Sequence, residues 1–308
     1  MDVIVFGGGG LIGSYTTVDL CEQGMDVAVF SRSPPKGILR SYEDRIYWIN
    51  GDVGDTEQVA RAVAETGARR IVHLAGALQF DCDRTPEVAM HINVGGAINV
   101  LDAARTCGVE RVVFASSGAV YGVRADRMRE DMPVGPEITI YGSSKLLAEQ
   151  IGIRYAEQHG FGFIALRYNM TFGPGNVTSP GMAKAIQDIT GAMDGAAVTM
   201  TEVGGDLLRH LTYVRDSAAA AVLALTHPSP AHHVYNVAGP DENYVSLQKL
   251  TEIMCQVAPE CGPVTFTGRG REAGAVDTTR IRQDLGFEPQ YSVADGLRAQ
   301  REDRLKWW

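Results

Sequence analysis

The chain has 308 residues, 45% hydrophobic and 21% charged, enough to bury a sizeable core in one large domain or two closely joined ones. Its formal charge of -9 and pI near 5.3 exclude a general binder of nucleic acid or acidic membrane, while a local basic site for a phosphorylated ligand stays open. No run reaches the roughly 18 to 20 apolar residues that a spanning helix needs. Met1 and Asp2 offer no basic leader, so a cytoplasmic protein without membrane contact is expected. Cys21, Cys82, Cys107, Cys255 and Cys261 show neither CxxC pairs nor metal-ligand spacing, and read as five reduced thiols with no metal site.

In chain order, the strand 2–6 (DVIVF) runs into GGGGLIG, and a helix is predicted over 11–23. Gly7, Gly10 and Gly13 let the turn take positive φ, let a pyrophosphate approach the backbone and let the helix pack tightly on the sheet, with Leu11 and Ile12 at the helix start. Strands follow at 26–30, 45–49 and 70–74, with a helix over 56–66. Asp52 and Val53, after the third strand, could grip an adenine ring, although a helix N-cap would use the same aspartate. Leu74, Ala75 and Gly76 keep the exit of the fourth strand small, and His73 reads as a satisfied core histidine.

A helix over 86–106, a strand at 111–115, a helix over 141–159 and a strand at 162–166 continue the βαβ alternation. The series predicts an α/β fold, a doubly wound parallel sheet with its ligand crevice at the carboxyl ends of the strands. Beyond 170 the pattern breaks into loops and shorter helices. The boundaries expected are a dinucleotide-binding domain over 1–170, rejoined by a strand at 234–238, and a smaller substrate-binding lobe from 171–233 and 239–308.

Tyr141 and Lys145 lie four apart, on one helix face. An ammonium there can lower the phenol's pKa and hold a ribose, which a tyrosine titrating near 10 needs to act as a base at neutral pH. Ser117, at a strand end, can hydrogen-bond a reacting hydroxyl or carbonyl; of Ser116 and Ser117 only one should face the substrate, because strands alternate faces. At the end of the second strand an acidic residue would favour NAD and an arginine NADP. Ser31 and Arg32 stand there, favouring NADP, unless Arg32 is a solvated loop residue and NAD is used without the carboxylate.

The stretches GGGGLIG (7–13), GDVGD (51–55), HLAGA (73–77), INVGGAINVLDAA (92–104), VVFASSGAVYG (112–122), YGSSKLLAEQ (141–150), ALRYNMTFGPG (165–175) and RHLTYVRDSAAAAVLAL (209–225) together resemble the extended short-chain dehydrogenase/reductase family of nucleotide-sugar epimerases and dehydratases. The resemblance implies a catalytic Ser117, Tyr141 and Lys145, and places Asn93 and Tyr168 in the cofactor site. Where 4,6-dehydratases carry an Asp-Glu pair, this chain has Gly118 and Ala119, which disfavours dehydration. Met170 occupies the place of the family's substrate asparagine, with Asn169 one position early. Arg209 and Arg271 match diphosphate-binding arginines, or are plain surface charges. The expectation is hydride transfer at a sugar-like carbinol by a nucleotide-sugar epimerase, against an NADP-dependent ketoreductase on a smaller molecule or a non-catalytic cofactor sensor. Relatives pair the helices at 86–106 and 141–159, so a homodimer is expected.

Overall fold

The computed structural model describes residues 1–175, 179–269 and 273–307. Strand β1 (Val3–Phe6) has all four side chains at 0% exposure, as the centre of a sheet covered on both faces requires. It leads into α1 (Leu11–Glu22), β2 (Val27–Ser31) and β3 (Ile46–Asn50). Helix α2 (Thr56–Thr66) starts at Asp55, whose carboxylate accepts from the Glu57 and Gln58 amides, and ends at Gly67 in the left-handed region. Strand β4 (Arg70–His73) and the short α3 (Gln79–Arg84) follow.

The next helix departs from the reading of the sequence. Instead of one α-helix over 86–106, a turn α4 (Pro86–Val88) passes through a π-helical stretch over Ala89–Gly95 into α5 (Gly96–Cys107). The widened turn carries Asn93 inward, where its side chain holds neighbouring backbone; such insertions often lie at functional sites. Strands β5 (Arg111–Ser117) and β6 (Gly162–Tyr168) flank α6 (Ile140–His159) and run two residues past their expected ends, because Ser117 and Tyr168 still pair in register.

The remaining elements are β7 (Thr171–Phe172), α7 (Met182–Gly191), β8 (Val198–Met200), β9 (Leu208–His210), β10 (Thr212–Tyr213), α8 (Val214–Thr226), β11 (Val234–Val237), β12 (Tyr244–Ser246), α9 (Leu247–Val257), β13 (Val264–Phe266), α10 (Thr279–Leu285) and α11 (Val293–Trp307). The seven-stranded sheet has the order β11-β6-β5-β4-β1-β2-β3, parallel throughout. The chain winds outward from β1 through β2 and β3, then crosses to β4 and winds the other way. The crevice between β1 and β4 is therefore the expected ligand position.

One core lies on the sheet face covered by α1 and α8 and continues into the C-terminal elements through Leu211, Leu250 and Leu297. A second packs α2, α5 and α6 on the opposite face. Three two-stranded sheets, β7–β10, β8–β13 and β9–β12, complete the C-terminal region. Among the described residues no helix is long and apolar enough to cross a membrane. The cysteine expectation is corrected here: Cys255 and Cys261 form a disulfide at the end of α9, and Cys21, Cys82 and Cys107 are free.

Candidate active site

The glycine loop is pressed against its surroundings by contacts that leave no room for side chains. Gly7 has φ +79°, and a Cβ there would lie 2.5 Å from the Ala75 amide nitrogen; on Gly13 it would strike the Gly7 carbonyl oxygen. Gly10 is the N-cap of α1, with no side-chain cap and no acidic residue in the first turn. The first amides of α1, beginning at the half-buried Leu11 and Ile12, thus present an uncapped positive helix end suited to a diphosphate. The loop abuts the exit of β4, where Leu74 and Ala75 are half-buried and Gly76 is exposed. Across the crevice, the buried Tyr168 hydroxyl has no hydrogen-bond partner among the described residues. An uncapped helix end and an orphaned buried hydroxyl on one crevice fit a dinucleotide.

At the end of β2, Ser31 lies against Gly9: a Cβ on that glycine would come 2.7 Å from the Ser31 hydroxyl. The Arg32 side chain is 76% exposed and reaches Asp52 at 3.9 Å. Asp52 accepts from the Gly54 amide at 2.9 Å, and the N-cap of α2 is Asp55, so Asp52 is not the helix cap. Val53 is buried against Gly96.

Helix α6 is capped by Thr139, whose hydroxyl accepts from the Gly142 amide, and this starts the turn that carries Tyr141. Tyr141 is half-buried. Burial raises its phenol above the usual value, and hydrogen bonding with Ser117 pulls it back down. Lys145 is 4% exposed, and its ammonium donates to the Ala115 carbonyl at 2.9 Å while standing 5.1 Å above the Phe114 ring. Burial lowers it to about 8. Ser117 accepts from the Ala119 amide at 3.1 Å. The group pulling the Tyr141 phenol down is therefore Ser117, whereas the sequence pointed to Lys145, which is engaged with the strand backbone.

Asn93 is buried, with its side-chain oxygen beside Gly76. Its carbonyl accepts from the Ala77 amide at 2.8 Å, and its NH₂ donates to the Ser144 hydroxyl at 3.1 Å and to the Cys82 sulfur at 3.3 Å. Ser116 is corrected as a substrate contact: it is 3% exposed and donates to Glu149 at 2.8 Å, on the side of the strand opposite Ser117. His73 is a core residue but not a satisfied one. It lies between the Phe6 and Phe114 rings, neither nitrogen has a hydrogen-bond partner among the described residues, and burial lowers it to about 3.

Toward the C-terminal elements, the Asn169 side chain lies beside Gly118 and accepts from the Met170 amide at 3.2 Å, while Met170 packs on the core. Asn169 thus brings an amide to this part of the crevice although its sequence position is one early. Arg209, on β9, is 8% exposed and donates to the Leu208 carbonyl at 2.6 Å. Arg271 lies outside the described residues. Residues missed by sequence reasoning are Glu149, Arg167, Tyr121 and Cys82. The signals were present: an arginine inside the apolar run FGFIALRY, and a glutamate eight residues after Tyr141 on the same helical stripe.

A doubly wound sheet with an uncapped helix end over its switch point, and a serine, tyrosine and lysine at the next strand end, defines a nicotinamide-dependent enzyme of the short-chain dehydrogenase/reductase class. The chain belongs to the NAD dependent epimerase/dehydratase family, whose model matches residues 3–238. It is 28% identical over 315 residues to UDP-glucose 4-epimerase of Azospirillum brasilense, covering 96% of this chain and 89% of that protein. The Corynebacterium glutamicum UDP-glucose 4-epimerase is also 28% identical, over 95% of this chain and 92% of its own length. Among solved structures, UDP-glucose 4-epimerase of Thermus thermophilus in complex with NAD superposes with a TM-score of 0.86 at 26% identity, covering 98% of both chains.

Proposed function

We propose that the chain is an NAD(P)-dependent epimerase that inverts a carbinol centre of a nucleotide sugar. The observation that carries this reading is the grouping of Tyr141, Lys145 and Ser117 at the carboxyl end of β5, with Lys145 beside Gly76 at the exit of β4. A bound nicotinamide supplies the acceptor to which hydride goes and from which it returns. The chain's own residues handle the proton: the Tyr141 phenolate takes it from the hydroxyl as the carbonyl forms, and the phenol so made gives it back when the opposite face is reduced. Ser117 holds the reacting oxygen. Lys145, next to Gly76, fixes the nicotinamide ribose. Gly118 and Ala119, in place of a second acid–base pair, keep the chemistry to hydride and proton transfer.

Arg209, and Arg271 by the sequence, would hold the diphosphate, and UDP-sugars are the substrate class suggested by the relatives. The C-terminal elements form the substrate lobe in this reading. For the cofactor we favour NADP, since Ser31 and Arg32 leave the end of β2 without the carboxylate that would accept from a free ribose diol. Exposed Met90, Ile98, Ile140 and Leu147, on the π stretch, α5 and α6, provide an apolar face for a homodimer.

The test is turnover of UDP-glucose with enzyme-bound cofactor, following both the epimer formed and the reduced nicotinamide. Interconversion without net cofactor change is expected. Stoichiometric cofactor consumption would make the protein a ketoreductase instead. Parallel titrations with NAD and NADP decide the cofactor, and tighter binding of NAD would overturn that preference.

A further inference from the structure

Behind the crevice lies a buried polar network that the reaction does not use directly. The Glu149 carboxylate, at 0% exposure, accepts from Arg167 through both oxygens, at 2.6 and 3.1 Å, and from the Ser116 hydroxyl at 2.8 Å. Arg167, itself 7% exposed, donates also to the Tyr121 hydroxyl at 2.9 Å, and Tyr121 donates on to the Asn236 carbonyl at 2.7 Å. Five pieces of structure meet there: α6 through Glu149, β5 through Ser116, β6 through Arg167, the turn Gly118–Tyr121 that follows Ser117, and β11 through Asn236.

A buried ion pair seldom adds stability over well-packed apolar groups of the same volume, because desolvation offsets the attraction. What it supplies is geometry, since a bidentate guanidinium–carboxylate pair tolerates little displacement. The geometry matters because of what stands beside each member. Tyr141, Lys145 and Glu149 form one stripe of α6, at steps of four. Ser116 and Ser117 are neighbours that face opposite sides of β5. Anchoring Glu149 to Arg167 sets the height and rotation of the stripe. Anchoring Ser116 to the same carboxylate sets the direction in which Ser117 points. Tyr121 holds the residues just after Ser117 from the other side.

We propose that Glu149, with Ser116, is a positioning residue that holds the Tyr141–Lys145 face of α6 in register with Ser117. The proposal rests on the hydride-transfer reading above. Glu149→Gln would leave the Arg167 charge buried without its counter-charge and can cost the fold itself, so Ser116→Ala, which spares the ion pair, is the deciding variant.

The measurements are kcat and KM for UDP-glucose, the melting temperature, and the titration of the Tyr141 phenol in the cofactor-loaded protein. The phenol is followed by carbon NMR of ring-labelled tyrosine and assigned through Tyr141→Phe. Ser116→Ala should lower kcat about 5- to 10-fold, less than the hundredfold that a misplacement of about 1 Å can cost. KM should change less than about twofold, and the phenol should titrate at higher pH as its bond to Ser117 loosens. An unmoved Tyr141 titration would overturn the proposal, whether or not kcat falls, because a merely structural role predicts that result. Inactivity of the wild-type protein toward UDP-glucose would count against the epimerase reading, while the Tyr141 titration still decides this one.

Discussion

The seven-stranded sheet and the C-terminal elements are held together in different ways. In the sheet, parallel strands four to seven residues long are covered by helices on both faces, and all but β11 come from one continuous stretch of chain, residues 3–168. The C-terminal elements form strand pairs of two or three residues, joined across long stretches: β8 to β13, β9 to β12, β7 to β10. Their apolar side chains join the core under α1 and α8 instead of building a separate one. The difference teaches that the sheet is a frame built mostly within one stretch of chain, whereas the C-terminal elements depend on distant contacts and on a disulfide. Damage to the first should reach cofactor and substrate alike; damage to the second should spare the cofactor.

The largest effect is expected from Gly13→Val. A Cβ there meets the Gly7 carbonyl, a backbone atom with no rotamer to give. Calorimetry should show loss of cofactor binding, and denaturant melts a stability loss of about 3 kcal/mol, the upper range for overpacking. Wild-type cofactor affinity would break the picture of the sheet as a frame. Next, Tyr141→Phe should lower turnover about 10²-fold, the scale of general acid–base catalysis, with cofactor affinity kept.

A Cys255→Ser, Cys261→Ser double variant should lose about 2 kcal/mol, as expected for opening a short loop, without altering cofactor affinity. A matching loss of cofactor affinity would erase the contrast between the two regions. An effect of similar size, confined to acid pH, concerns His73, whose folded pKa of about 3 lies below its ordinary 6.5. Between these values the unfolded chain binds a proton that the native protein refuses, so stability falls as pH drops below 6.5. By pH 5 the loss is about 2 kcal/mol, at about 1.4 kcal/mol per unit. His73→Leu should flatten that acid limb in melts from pH 7 to 5, and an unchanged slope would assign it to other groups.

The sheet was legible because its strands are short apolar β-branched runs separated by helical patterns, and every strand of the central sheet falls within a residue or two of its expected place. Ser117, Tyr141 and Lys145 were legible through spacing and position. What spacing could not show is which neighbour each polar group meets. Lys145 donates to Ala115, Ser116 turns inward to Glu149, and Asn93 binds backbone because a π turn rotates it inward. Such outcomes depend on contacts between residues tens of positions apart, which have no period in the chain. The Cys255–Cys261 pair escaped for a different reason: an odd count of scattered cysteines hides one short-range bridge.

The place of β11 in the sheet also bears on synthesis. Its partner β6 ends at Tyr168, while β11 ends at Val237, so a growing chain must add sixty-nine residues before that flank of the sheet is covered. At about 5 to 20 residues per second, the interval is roughly 3 to 14 s. Throughout it β6, whose residues 163–168 are buried in the finished fold, presents an open, apolar strand edge of the kind that pairs with other chains. A chain halted at residue 230 should therefore aggregate, while one released after residue 245 should do so less, and equal solubility of the two would remove this account. The protein is thus most exposed to misassembly when the other six strands of its sheet have already been made.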